Sequence, residues 1–171
     1  MSYFPLSTLN LKCSQILVNN NSAITTVGTP IALSSISGST DKVSLASNTI
    51  TLKAGLDYFL VTCIAYRTIA PTTYVDASIA STFRFGFYNT TNSSWFTQKC
   101  TNPNNVLASG GLKNSGIREY QAYCVIPAPA TDINVQFRIK TLQTTSASKL
   151  TTYRDNGDTN IGNSTIIIYH N

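Results

Sequence analysis

Few residues in this chain of 171 have side chains that catalysis or metal binding could use. Nucleophilic catalysis by serine or cysteine needs an imidazole of tunable pKa. The single histidine, His170, is the penultimate residue and directly follows a β-patterned stretch, so it reads as a chain-end histidine. Glycoside cleavage needs two carboxyl groups at a set separation. Asp57, Asp76, Glu119, Asp132, Asp155 and Asp158 are on hand, but nothing in their spacing selects a pair, and each reads as a turn former or an isolated surface charge. Asp155-Asn-Gly-Asp158-Thr-Asn160 gathers oxygen ligands in a loop that would suit calcium, without EF-hand spacing, and Asx turns between two strands account for the same residues. Gly110-Gly111 lacks the Gly-Lys-Ser/Thr that completes a phosphate-cradling loop. Cys13, Cys63, Cys100 and Cys124 contain no Cys-x-x-Cys pair, and with one histidine a tetrahedral zinc site would need an unusual ligand set. They read as small buried hydrophobes, with a disulfide framework as the alternative. The expectation is a protein that is not an enzyme and uses no cofactor or metal.

Binding chemistry has more to work with. Trp95-Phe96 ends a polar loop, and adjacent aromatics on a strand point to opposite sides, which leaves Trp95 as an exposed contact. Burial against another subunit is favoured for it over stacking on a sugar ring, because aromatics are enriched at interface cores. The net charge of +5 comes from 12 basic and 7 acidic residues, the basic ones scattered singly from Lys12 to Arg154. Without a basic block or stripe, nucleic acid is not an expected partner. Met1-Ser-Tyr-Phe-Pro-Leu6 lacks the basic start and apolar stretch of a secretory signal, so synthesis in a reducing cytosol is expected. No apolar run approaches the roughly 18 residues of a helical membrane crossing, and no membrane insertion is expected.

The elements that must position these residues are strands. Ser, Thr and Asn make up about a third of the chain and charged residues only 11%, against about 25% in an average protein. That balance argues against a charged helical bundle, while 42% hydrophobic residues suffice for a core. From 132 to 142, Ile133, Val135, Phe137 and Ile139 alternate with polar neighbours, and Phe83, Phe85 and Phe87 alternate in the same way, so each set faces a core. Ile50 and Leu52 share a face ahead of a turn at Ala54-Gly55-Leu56-Asp57, and Tyr58 to Arg67 is apolar on both faces, as in a strand covered on both sides. Further strands are expected at Leu11 to Val18, Ile117 to Ile126, Lys149 to Arg154 and Ser164 to Tyr169, with Ser-rich 34 to 47 and polar 100 to 116 as long connections. Eight to ten strands with little helix predict an all-β, two-sheet sandwich, a jelly roll. Its expected core is Leu52, Phe59, Val61, Cys63, Phe83, Phe85, Phe87, Cys124, Ile133, Val135, Phe137, Ile139, Ile166 and Ile168. Residues 11–171 read as one domain, preceded by an arm of residues 1–10.

Thr49 to Arg67 contains Leu52, Gly55 and Tyr58 in the "leucine, two residues, glycine, two residues, aromatic" entry to a central strand. It resembles the jelly rolls of the complement globular-head and tumour-necrosis-factor superfamily, and Gly162 to Tyr169 resembles their closing strand. Phage virion proteins with such heads are similar in their Ser/Thr/Asn-rich, charge-poor style. The resemblance implies a homotrimer, with Tyr58, Leu60, Tyr66, Ile167 and Tyr169 as candidate contacts between subunits. It implies a structural protein of a bacteriophage virion, made in the host cytoplasm, decorating and cementing the head. Its partner would then be the major capsid protein, reached through Tyr3, Phe4 and Leu6 of the arm. The alternative is the head of a tail fibre or spike that binds a host-surface glycan or receptor.

Overall fold

The computed structural model describes residues 11–19, 23–24, 26–69, 78–97, 99–100, 104–109, 118–144, 149–152 and 164–171. The described residues form strands joined by turns, with no helix. In chain order the strands are β1 (Lys12–Val18), β2 (Ala23–Ile24), β3 (Leu33–Gly38), β4 (Val43–Ala46), β5 (Thr49–Leu52), β6 (Tyr58–Ile69), β7 (Ser78–Asn89), β8 (Ser94–Trp95), β9 (Lys99–Cys100), β10 (Asn104–Ser109), β11 (Arg118–Ile126), β12 (Ile133–Thr144), β13 (Lys149–Thr152) and β14 (Thr165–His170).

All pairings are antiparallel, and they sort into two sheets. One has eight strands in the order β2-β13-β6-β14-β1-β3, with β11 also on β6 and β9 on β11; the other runs β10-β7-β12-β5-β4, with β8 on β7. β6 is the hub of the larger sheet: β11 pairs with it from Tyr58 to Tyr66, β14 from Tyr58 to Cys63, and β13 from Tyr66 to Ile69. With β1, β14, β6 and β11 facing β5, β12, β7 and β10, consecutive strands repeatedly switch sheets, which is the winding of a jelly roll.

The core lies between the sheets and is built by alternation. Ile16, Val18, Tyr58, Leu60, Ile64, Ala122, Cys124, Ile126, Ile166 and Ile168 come from the eight-stranded sheet. Ile50, Leu52, Phe85, Phe87, Ile133, Val135, Phe137 and Ile139 come from the other. Phe137 stacks with Phe85 at 5.4 Å between ring centroids and tilts against Phe87 at 5.0 Å, a three-ring nucleus of the kind that adds about 0.5–1.5 kcal/mol per pair beyond area burial.

Four expectations change here. Phe59, Val61 and Cys63 do not face the core; their neighbours Tyr58, Leu60, Thr62 and Ile64 do. Tyr58 and Leu60 are therefore core residues and not contacts between subunits. Tyr58 is held inward by its hydroxyl, which donates to the carbonyl of Lys53 at 2.8 Å and lies 3.3 Å from that of Lys42. The Ser-rich 34–47 segment is not a loop: it forms β3 and β4, whose serines face water. Part of 100–116 also pairs, as β10 along β7. The side chains of Phe83, Tyr66 and Cys100 lie outside the described residues, as does the arm with Tyr3, Phe4 and Leu6.

Candidate functional site

Because β6 turns Phe59, Val61 and Cys63 outward, the outer face of the eight-stranded sheet carries an apolar patch around Phe59, bordered by exposed Gln15 beside Ile167 and exposed Gln121 beside Cys63. Register sets Val125 and Tyr169 on either side of Phe59, and Tyr123 and Ile167 on either side of Val61. The Phe59 ring stacks on Tyr169 at 6.2 Å and tilts against Tyr123 at 6.2 Å. These side chains remain open: Phe59 is 39% exposed, Tyr123 37%, Val125 63%, and Leu11 at the sheet's edge 56%. Val61, Ile167 and Tyr169 are half-buried. A cavity of about 550 Å³ opens among Leu11, Asp57, Phe59, Val61, Val125 and Tyr169. The Asp57 carboxylate at its rim accepts a hydrogen bond from the backbone N–H of Ala128 at 2.8 Å, so it works as a turn former. Ile167 and Tyr169 thus lie on the face where contacts between subunits were expected. Phe59, Val61, Tyr123 and Val125 join them and were missed; the phase of β11 was available from small Ala122 and Cys124 alternating with larger neighbours.

His170 is not a free chain end but a core residue, 1% exposed, with its ring 5.9 Å from that of Tyr58. Neither ring nitrogen has a hydrogen-bond partner among the described residues. Burial pushes the phenol of Tyr58 up from its ordinary value, and pushes the Cys124 thiol up to about 11, which keeps that sulfur protonated and unreactive at neutral pH. Cys13, Cys63 and Cys124 are not disulfide-bonded. Of the three cysteines whose side chains are described, Cys124 is the buried hydrophobe expected, whereas Cys13 is exposed and Cys63 half-buried, because both face outward from the larger sheet. Among the described residues no group of three or more His, Cys, Asp or Glu side chains is placed to hold a metal ion. The loop from Asp155 to Asn160, Asp76, and the side chain of Glu119 lie outside the described residues.

Trp95 sits on the opposite side of the sandwich. β8 pairs it with Tyr88 on the outer face of the six-stranded sheet, where the two rings meet edge to face at 5.0 Å. Phe96, its neighbour, packs against the core, so the two aromatics do point to opposite sides. Arg138 and Lys140, which the sequence reading did not single out, flank these rings.

No protein-family model and no curated protein matches the sequence. Among solved structures, the chain is similar to the globular domain of zebrafish complement 1qA protein, with 10% identity over 93% of each chain and a TM-score of 0.43.

Proposed function

We propose that this protein is a structural component of a bacteriophage virion, a homotrimer that sits on the capsid surface and cements it. The observation that carries the reading is the open apolar face of the eight-stranded sheet, with Phe59, Tyr123, Val125, Ile167 and Tyr169 at its centre. A contiguous aromatic and aliphatic patch in water is unfavourable, and closed symmetry hides it in identical copies. The charge-poor, Ser/Thr/Asn-rich composition supports a surface that adheres through area and hydrogen bonds more than through charge. Cementing would then be a linkage effect: a protein that binds only the assembled shell stabilises that state by mass action.

Two measurements test this. The native mass in solution is expected at three times the 18.5 kDa of one chain. Virions lacking the protein are expected to lose integrity in heat or low ionic strength under conditions that complete virions survive. A stable monomer would remove the trimer, and equal survival of both virions would remove the cementing role.

A further inference from the structure

The outer face of the six-stranded sheet carries a second organised surface, independent of how the other face is covered. Trp95 and Tyr88 meet edge to face there, and two cations rest on their rings: the guanidinium carbon of Arg138 lies 4.1 Å from the Tyr88 centroid, and Lys140 Nζ 5.5 Å from that of Trp95. Arg138 is fixed in place. Its Nε and Nη2 both donate to Gln136 Oε1, at 2.8 and 2.5 Å, and Gln136 Nε2 donates in turn to Thr49 Oγ1 at 2.8 Å. One edge of the guanidinium is consumed by that amide. The other edge, Nη1 with the second hydrogen of Nη2, has no partner among the described residues. Opposite Arg138 in the register stands Gly86, which contributes no side chain, and Arg84 follows on the same face. The ion pairs seen among the described residues, Lys12 with Asp41 and Lys53 with Asp132, involve none of Arg84, Arg138 and Lys140. In a chain with only 12 basic residues, Arg138 and Lys140 meet two half-buried rings here, with Arg84 on the same face, and none of the three has an ion-pair partner among the described residues.

We infer that this face binds a carboxylated polysaccharide, a uronate-type polymer, with the free edge of the Arg138 guanidinium on the sugar carboxylate and Trp95 against the sugar ring. Charge complementarity selects an anion, and the planar fork of donors matches a carboxylate with two parallel hydrogen bonds. The pre-set Gln136 contact lowers the entropy of engaging it. Lys140, on a flexible stem, adds a second, less directional charge. The rings select a sugar over a simple anion: a pyranose offers an apolar C–H face, for which Trp95 is the partner on this surface. A nucleic acid would call for a longer track of cations than this one.

The experiment passes the full-length protein over immobilised polygalacturonate, neutral dextran, dextran sulfate and single-stranded DNA at low salt. Retention on polygalacturonate is expected to exceed that on the other three and to fall as salt rises. The double variant Arg138→Gln, Lys140→Gln is expected to bind at least tenfold more weakly while remaining folded, its melting temperature lowered by only a few degrees through the lost Gln136 and ring contacts. Arg138→Lys, which keeps the charge and loses the fork, is expected to weaken binding nearly as much as Arg138→Gln. Trp95→Ala is expected to lower affinity severalfold without changing the salt dependence. Absence of retention on polygalacturonate, or full affinity in the double variant, overturns the site. Full affinity in Arg138→Lys overturns carboxylate recognition, and equal or tighter binding of dextran sulfate or DNA overturns the sugar-acid assignment.

Discussion

His170 shows what one misplaced polar side chain costs. A neutral imidazole carries one donor and one acceptor, and burying either without a partner costs about 1–3 kcal/mol. Both nitrogens are in that position among the described residues, against the apolar ring of Tyr58. His170→Phe removes the unmet demand at similar shape and is expected to raise stability by about 1 kcal/mol, or roughly 2–4 °C in Tm for a chain of this size. A fall in Tm would mean that the imidazole is satisfied after all. The exposed carboxylates behave in the opposite way. Hydrogen bonds from Ser39 and Lys12 bring Asp41 down to about 2, and those from Lys53 Nζ (2.7 Å) and the Ala54 N–H (2.9 Å) hold Asp132 below its ordinary value. With folded pKa values below the unfolded ones, both contribute stability that is fully present above about pH 4 and is lost as pH falls toward 2. Thermal unfolding followed between pH 5 and 2 is expected to show Tm dropping through this window, and Asp132→Asn is expected to make the drop shallower. An unchanged slope in that variant would show that Asp132 has the same pKa folded and unfolded.

Among the elements, the antiparallel pairing of β1 with β3 leaves no room for a side chain at its Gly38 end. Gly38 ends β3 with φ of +88°, and a Cβ there would collide with the backbone carbonyl oxygen of Cys13. Only glycine meets both demands at this position. Gly38→Ala is expected to cost on the order of 1–3 kcal/mol, read as a fall in Tm, whereas the same change at Gly28, whose φ is also positive but which has open space around it, is expected to cost less. Equal losses at both positions would mean that backbone strain alone, and not the Cys13 contact, sets the cost. The same strands show how much of the fold is legible from residues. Ile133 to Ile139 announces its inner face because every second side chain is polar. β6 announces its existence but not its phase, since Tyr58 to Ala65 is apolar on both sides; the inner set was fixed by the neighbours, with Tyr58 anchored to the Lys53 carbonyl. β3 and β4 read as loop because their outward serines hide the few inward residues, Leu33 and Val43. The turn between β4 and β5 is likewise set by backbone detail: Ser47 and Asn48 both adopt positive φ, as a two-residue hairpin requires, and Asn48 Oδ1 accepts from the Leu33 N–H at 2.8 Å, tying the two sheets together. Of the two candidate surfaces, Ile167, Tyr169 and Trp95 were visible in sequence. Phe59, Tyr123, Val125 and Arg138 came from register between distant strands, which a local pattern does not encode.

For the whole molecule, the chemical contrast between the two outer faces is the property from which a joint prediction follows. One face is apolar and centred on β6, β11 and β14; the other is aromatic and cationic, centred on β7, β8 and β12, and the core separates them. A homotrimer closed through the first face would present three copies of the second outward, and multivalent presentation raises apparent affinity by orders of magnitude without any new contact. This gives a prediction that neither face gives alone. Val125 is 63% exposed and contributes nothing to the monomer core, so Val125→Asp is expected to leave the Tm of the isolated chain nearly unchanged while placing three like charges in the proposed contact. Sedimentation is expected to show dissociation to monomers of 18.5 kDa. In the same variant, binding to polygalacturonate measured per chain at a single site is expected to persist, while retention on a densely substituted polygalacturonate surface falls at least tenfold. If dissociation abolishes single-site binding as well, the ligand face depends on the contact between copies and the two surfaces are not independent. If the variant stays trimeric, the apolar face is not what holds the copies together.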